Sequence, residues 1–159
     1  MIAPNAETVS ELFSNLLCEE IEFASAVAVR TVDQSAKAVA CLLIDDDDQT
    51  VGAVVADLTA AVSLGGQLMM LPVGGLEEQI EENSPSAIVI DAVSELFNNF
   101  TTVVNSLEEN PHVRSRVAED LMSLVEDGED WLLSADSSTE YTGQFLCGKG
   151  VIQMIEKVT

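Results

Sequence analysis

The chain has 159 residues and a formal net charge of −22, from 28 acidic and only 6 basic side chains. Such a surface repels phosphate backbones and anionic lipids, which argues against nucleic-acid binding and membrane insertion and suits either solubility or a partner with a basic patch. With 47% hydrophobic but only 4% aromatic residues, the chain should fold as one domain over 1–159 around a mainly aliphatic core.

No apolar run approaches the roughly 20 residues that span a bilayer. Met1 to Glu7 has no basic region ahead of an apolar one, so no signal peptide is expected and the protein is expected in the cytoplasm. Asn5 then reads as the cap of an amphipathic helix to about Glu20, with Val9, Leu12, Phe13 and Leu16 on one face and Glu7, Glu11, Ser14 and Cys18 on the other. Ile21 to Val32 alternates with a period of two and reads as a strand, followed by a turn at Asp33-Gln34-Ser35. Ala36 to Ile44 is nearly all apolar, as an interior strand covered on both faces would be.

Asp45 to Asp48 puts four carboxylates in a row. Calcium loops space their ligands at alternate positions around a glycine bend, so this run reads as a solvated hairpin tip. Gln49 to Ala56 is then a third strand, antiparallel to the second. Asp57 should cap a helix to about Leu71 with Leu58, Ala61, Val62, Leu64, Leu68 and Leu71 inward, weakened in the middle by Gly65-Gly66. Pro72-Val73-Gly74-Gly75 reads as a break, with Gly74-Gly75 in a turn, and Leu76 to Asn83 as an acidic approach with room for a short helix.

The longest amphipathic stretch follows, Ser86 to Asn105. At 100° per residue Val89, Ile90, Ala92, Val93, Leu96, Phe97, Phe100, Val103 and Val104 fill one arc, with Ile88 off it. Asp91, Glu95, Asn98, Thr102 and Asn105 make a narrow stripe opposite. Ser84-Pro85 fits a cap with proline at the first helical position. Such a stripe ordinarily faces solvent, yet asparagine is a poor helix former, and Asn98, Asn99 and Asn105 weigh toward a partner.

Glu108 to Pro111 reads as a loop. His112 to Val125 mixes helical and alternating spacing, with strand favoured as far as Ala118. Asp127-Gly128 is a turn. Trp131 to Ala135, Gln144 to Cys147 and Val151 to Val158 read as strands, the last two separated by Gly148-Lys149-Gly150. Cys18, Cys41 and Cys147 form neither a disulfide framework nor a metal pattern. His112, the only histidine, has no nucleophile elbow to serve. Helices and strands in this order make an α+β domain, with the helices gathered on one face of a mostly antiparallel sheet.

Val9-Ser-Glu-Leu-Phe-Ser-Asn15 repeats as Val93-Ser-Glu-Leu-Phe-Asn-Asn99, six identities in seven. Two core helices sharing a pattern would produce this, and so would a duplication that leaves two pseudo-repeated long helices. Ser14 then corresponds to Asn98.

Asp91-Ala-Val-Ser-Glu95-Leu-Phe-Asn98 resembles the Asp/Ser-x3-Glu-x2-Asn signature of the CheC/CheX/FliY chemotaxis phosphatases, and its wording is most similar to CheX. The order of elements and the half-hidden repeat also resemble that family. The resemblance implies a phosphatase for an aspartyl-phosphorylated, CheY-like response regulator in two-component signalling. Asn98 would orient the attacking water and Glu95 would pair with the regulator's lysine, while Asp91 and Thr102 would help docking. It implies no cofactor of the chain's own, with Mg2+ on the regulator, and it allows a homodimer. The chain departs from the family pattern in having Leu121 where a proline is usual and Phe100 soon after the asparagine. The alternative is a non-catalytic interaction or dimerisation module of the same fold.

Overall fold

The computed structural model describes residues 1–29 and 34–158. The expectations for Arg30 to Asp33, the end of the first strand and the start of its turn, lie outside the described residues. Helix α1 spans Ala6–Leu17, its cap Asn5 accepting the Thr8 N–H at 2.8 Å, and it stops where Cys18 turns left-handed at φ 53°. Strand β1, Phe23–Val29, is followed by β2, Val39–Asp45, and β3, Thr50–Ala56, a hairpin whose tip is the aspartate run. At that tip Asp45 Oδ1 accepts the N–H groups of Asp47 and Gln49, Asp46 meets His112 at 3.0 Å, and Asp48 pairs with Arg114. Among the described residues, no cluster of three or more histidine, cysteine or acidic side chains is placed to hold a metal ion.

Asp57 caps α2, Leu58–Leu68, through the Ala60 N–H at 2.8 Å and also accepts the Val151 N–H at 3.1 Å. Burial raises its carboxyl above the usual range in spite of those two donors. The helix runs unbroken through Gly65-Gly66. A Cβ on Gly65 would lie 2.8 Å from the Val89 carbonyl oxygen, and one on Gly66 would overlap the Leu76 methyls. The pair therefore lets neighbouring helices approach and does not interrupt the element. The expected turn at Gly74-Gly75 is instead inside α3, Val73–Glu81, which starts directly after Pro72. Proline in the preceding cap position ends one helix and opens the next.

Helix α4 spans Ala87–Asn105, and its cap is Ser86, accepting the Val89 N–H, two residues after the expected Ser84. Before it, Asn83 is left-handed at φ 51°, and its carboxamide accepts the Lys37 N–H at 2.7 Å and donates to the Ser35 carbonyl at 3.0 Å. Although α4 is long and apolar enough by length and composition to cross a membrane, contrary to the hydropathy expectation, it packs along the core with Val89, Ala92, Val93, Leu96, Phe97, Phe100 and Val104 buried.

Beyond α4, β4 is short, Val113–Ser115, followed by β5, Glu119–Asp120, and helix α5, Leu121–Glu126. Trp131 to Ala135, expected as a strand, is a single helical turn, α6, Trp131–Ser134. A short apolar run has no periodicity to separate the two states. Strand β6 covers Ser137–Phe145 and begins well before the expected Gln144. Its first residues are mostly serine and threonine, which fit a pleated surface without an apolar signal. Strand β7, Gly148–Glu156, includes the glycines expected as a separator, and the turn falls at Leu146-Cys147.

The seven strands form one sheet in the order β1-β6-β7-β3-β2-β4, with β5 also on β2 and every pairing antiparallel. Residues alternate across it. Val39, Cys41, Leu43, Val54 and Ile152 join the main core beneath α1, α2 and α4, while Ala40, Leu42, Ala53, Val55 and Ile155 join a smaller core covered by Leu121, Leu124 and Leu132 of α5 and α6. The chain is thus α+β with the two pseudo-repeated long helices on one face. The opposite face carries the two short helices that periodicity did not resolve.

The repeat has a structural counterpart. Val9 and Val93, and Phe13 and Phe97, enter the same core. Their neighbours Ser10 and Ser94 each accept a backbone N–H from the segment beyond the helix, from Phe23 at 2.9 Å and from Ala118 at 2.7 Å. A shared amphipathic pattern does not require those two matched bonds. A duplication leaves them naturally.

Candidate functional site

The outward side of α4 is defined by what its other sides touch. Toward β4, Asn105 exchanges two hydrogen bonds with Val113, both 2.8 Å, and Ser94 holds Ala118. Beneath, Val89 and Val93 meet α2 at Gly65. Besides Ala87 and Ile88, exposed in the first turn, what remains is the exposed line Asp91, Glu95, Asn98 and Thr102. Helical spacing of three and four residues brings these side chains to one face, so the stripe read from the sequence is present, less Asn105.

The four residues differ in how they are held. Thr102 donates to the Asn99 carbonyl at 2.6 Å within its own helix. Glu95 accepts from the Asn99 side chain at 3.2 Å. Among the described residues, neither the Asp91 carboxylate nor the Asn98 carboxamide has a hydrogen-bonding or ionic partner. The Asn98 backbone carbonyl is taken by Thr101 at 2.6 Å, which leaves the side chain as the free group. An unpaired carboxamide carries two donors and an acceptor into solvent, on a helix locked along its length by buried side chains. It can hydrogen-bond an anionic oxygen and a water together. Glu95, about 60° away around the helix axis, offers a carboxylate for a cation.

Two features that set this stripe apart from the family pattern have local explanations. Phe100 is fully buried and meets Tyr141 edge-on at 6.0 Å, about 160° around the helix from Asn98, so it does not crowd the carboxamide. Leu121 is buried in the smaller core, and its N–H donates to the Ala38 carbonyl at 2.8 Å, a bond that proline could not make.

On α1 the corresponding positions do different work. Ser14 accepts the Ile21 N–H at 2.9 Å and donates to the Ile21 carbonyl at 3.1 Å, so its hydroxyl is tied to the backbone. Asn99 is the site residue that spacing did not single out. The i, i+4 relation to Glu95 was its available signal.

No protein-family model matches the chain, and no curated protein matches it in sequence. Solved structures do match in fold. A chain of the FliM–SpeE complex from H. pylori gives a TM-score of 0.68 at 10% identity, covering 96% of this chain and 82% of that one. A chain of the CheX–CheY–BeF3–Mg2+ complex from Borrelia burgdorferi gives 0.56 at 14% identity, covering 96% and 94%. FliY from Thermotoga maritima gives 0.58 at 13% identity, covering 93% and 82%.

Proposed function

We propose that this chain, which has the fold of the CheC, CheX and FliY proteins, is a cytoplasmic phosphatase that hydrolyses the aspartyl phosphate of a CheY-like response regulator. The observation that carries the reading is the free Asn98 carboxamide beside Glu95 on the outward face of a core-anchored helix. An acyl phosphate is intrinsically labile, so its hydrolysis depends more on a positioned water than on a strong base. Asn98 enters beside the phosphoryl group and orients that water. Glu95 pairs with the regulator's lysine and fixes the docked geometry, with Asp91 and Thr102 at the edges of the contact. The Mg2+ belongs to the regulator, as does the phosphorylated aspartate. The acidic surface favours approach to a basic patch on that partner.

The test is phosphate release from a phosphorylated cognate regulator with Mg2+. Asn98→Ala should lose about 100-fold or more of the acceleration, the scale of removing one positioned donor, while still binding the regulator and unfolding like the wild type. Equal decay with wild type and variant sinks the reading.

A second reading, a non-catalytic interaction or dimerisation module, draws on the FliM likeness and on β1. That strand is an edge of the sheet, carries no charged residue, and leaves Val27 and Val29 80% and 84% exposed. Pairing β1 with a second copy leaves the α4 stripe open, because α4 packs toward β4 and β2. Dependence of regulator dephosphorylation on Asn98 separates the two readings.

A further inference from the structure

Glu95 has two amides within reach one turn along, Asn98 at i+3 and Asn99 at i+4. Helical side chains lean toward the N-terminus, so both asparagines lean back toward Glu95. Only Asn99 takes it. The Asn99 Nδ2 group donates to the Glu95 backbone carbonyl at 2.9 Å and to Glu95 Oε1 at 3.2 Å. The first bond fixes where the amide sits, because the carbonyl belongs to the helix itself. The second draws the carboxylate toward Asn99, which is half-buried, and away from Asn98, which is exposed.

We infer that Asn99 is a positioning residue that holds Glu95 aside and thereby keeps the Asn98 carboxamide open. The inference rests on the phosphatase reading of this stripe. Without Asn99, the carboxylate is free to swing about 60° around the helix and accept from the Asn98 amide. That contact would occupy the donors that should meet the phosphoryl group and water, and it would withdraw the carboxylate meant for the regulator's lysine. One side chain outside the Glu-x2-Asn pair thus separates its two members.

The experiment combines turnover with a direct view of Asn98. In 15N-labelled protein, the Asn98 side-chain NH2 resonances should resemble a solvent-exposed amide. In Asn99→Ala they should shift toward a hydrogen-bonded one, and turnover should fall about fivefold or more with unchanged thermal unfolding. Adding Glu95→Ala to Asn99→Ala should return the Asn98 resonances to the exposed position, which a general structural defect would not do. Asn99→Gln, which keeps a donor on a longer stem, should recover part of the turnover. Unchanged Asn98 resonances in Asn99→Ala overturn the inference while leaving the phosphatase reading intact. Failure of the wild type to accelerate regulator dephosphorylation overturns that reading, and the positioning role with it.

Discussion

Identical side chains in this protein are made different by their surroundings, and the cysteines show the contrast most plainly. Cys18 is exposed at the left-handed end of α1, whereas Cys41 is fully buried on β2. Burial, with Glu119 adding its charge, pushes the Cys41 thiol up to about 12 from an ordinary 9.0. Only the thiolate reacts, so that change lowers the reactive fraction of Cys41 near neutral pH. Iodoacetamide at pH 8 should therefore label Cys18 in the native protein and Cys41 only on unfolding, as read by peptide mass spectrometry. Native labelling of both at one rate would contradict an interior β2. The asparagines of α4 divide in the same way. Asn105 clamps β4 and Asn99 holds Glu95, which leaves Asn98 as the α4 amide whose side chain has no partner among the described residues. The sequence placed Asn98 and Glu95 on one face by spacing, but the use of each amide depends on rotamers and neighbours that spacing does not encode.

At the scale of elements, the two adjacent glycines of α2 have unequal tasks. A methyl at Gly65 meets the Val89 carbonyl, which is helix backbone, while one at Gly66 meets the flexible end of Leu76 on α3. Replacing an interior helical glycine by alanine gains about 1 kcal/mol of helix propensity. Gly65→Ala must spread α2 from α4 and should still destabilise by about 1–3 kcal/mol net in urea unfolding. Gly66→Ala should cost clearly less, because Leu76 can move. A stabilised Gly65→Ala would mean that α2 and α4 do not pack this closely. The β2–β3 hairpin was legible as two apolar runs around an aspartate tip, and periodicity made α1 and α4 legible because each buries one regular face. It hid Gly65 and Gly66, whose value is the neighbour they admit. It also hid β6, whose serines and threonines look like a loop until Tyr141 is seen against Phe100 of α4 and Phe145 against Phe23 of β1. Trp131 to Ala135 was read as a strand from a run too short to show a period, and it is a helical turn that docks Leu132 onto the second face.

Across the whole molecule, the two edges of the sheet contrast. At one end β4 is three residues long, carries Arg114 at its centre and lies between His112 and Arg116, a short charged edge that discourages further strand pairing. At the other end β1 is seven residues of Phe, Ala, Ser and Val with no charge at all. On a chain of net charge −22, most contacts between copies bring carboxylates together, and β1 offers an uncharged edge that matches itself in antiparallel register. Self-association through β1 should therefore strengthen with salt, since screening relieves the repulsion between copies over about 10 Å at 0.1 M ionic strength. Val27→Lys should weaken it about tenfold or more in sedimentation equilibrium, although the added positive charge lowers the net repulsion. That opposition isolates the edge from the general field. Val27 is exposed in the single chain, so the substitution should leave thermal unfolding nearly unchanged. A protein that stays monomeric at every salt and concentration, or a Val27→Lys variant that associates like the wild type, rules β1 out as the joining surface and leaves the stripe on α4 as the molecule's place of contact.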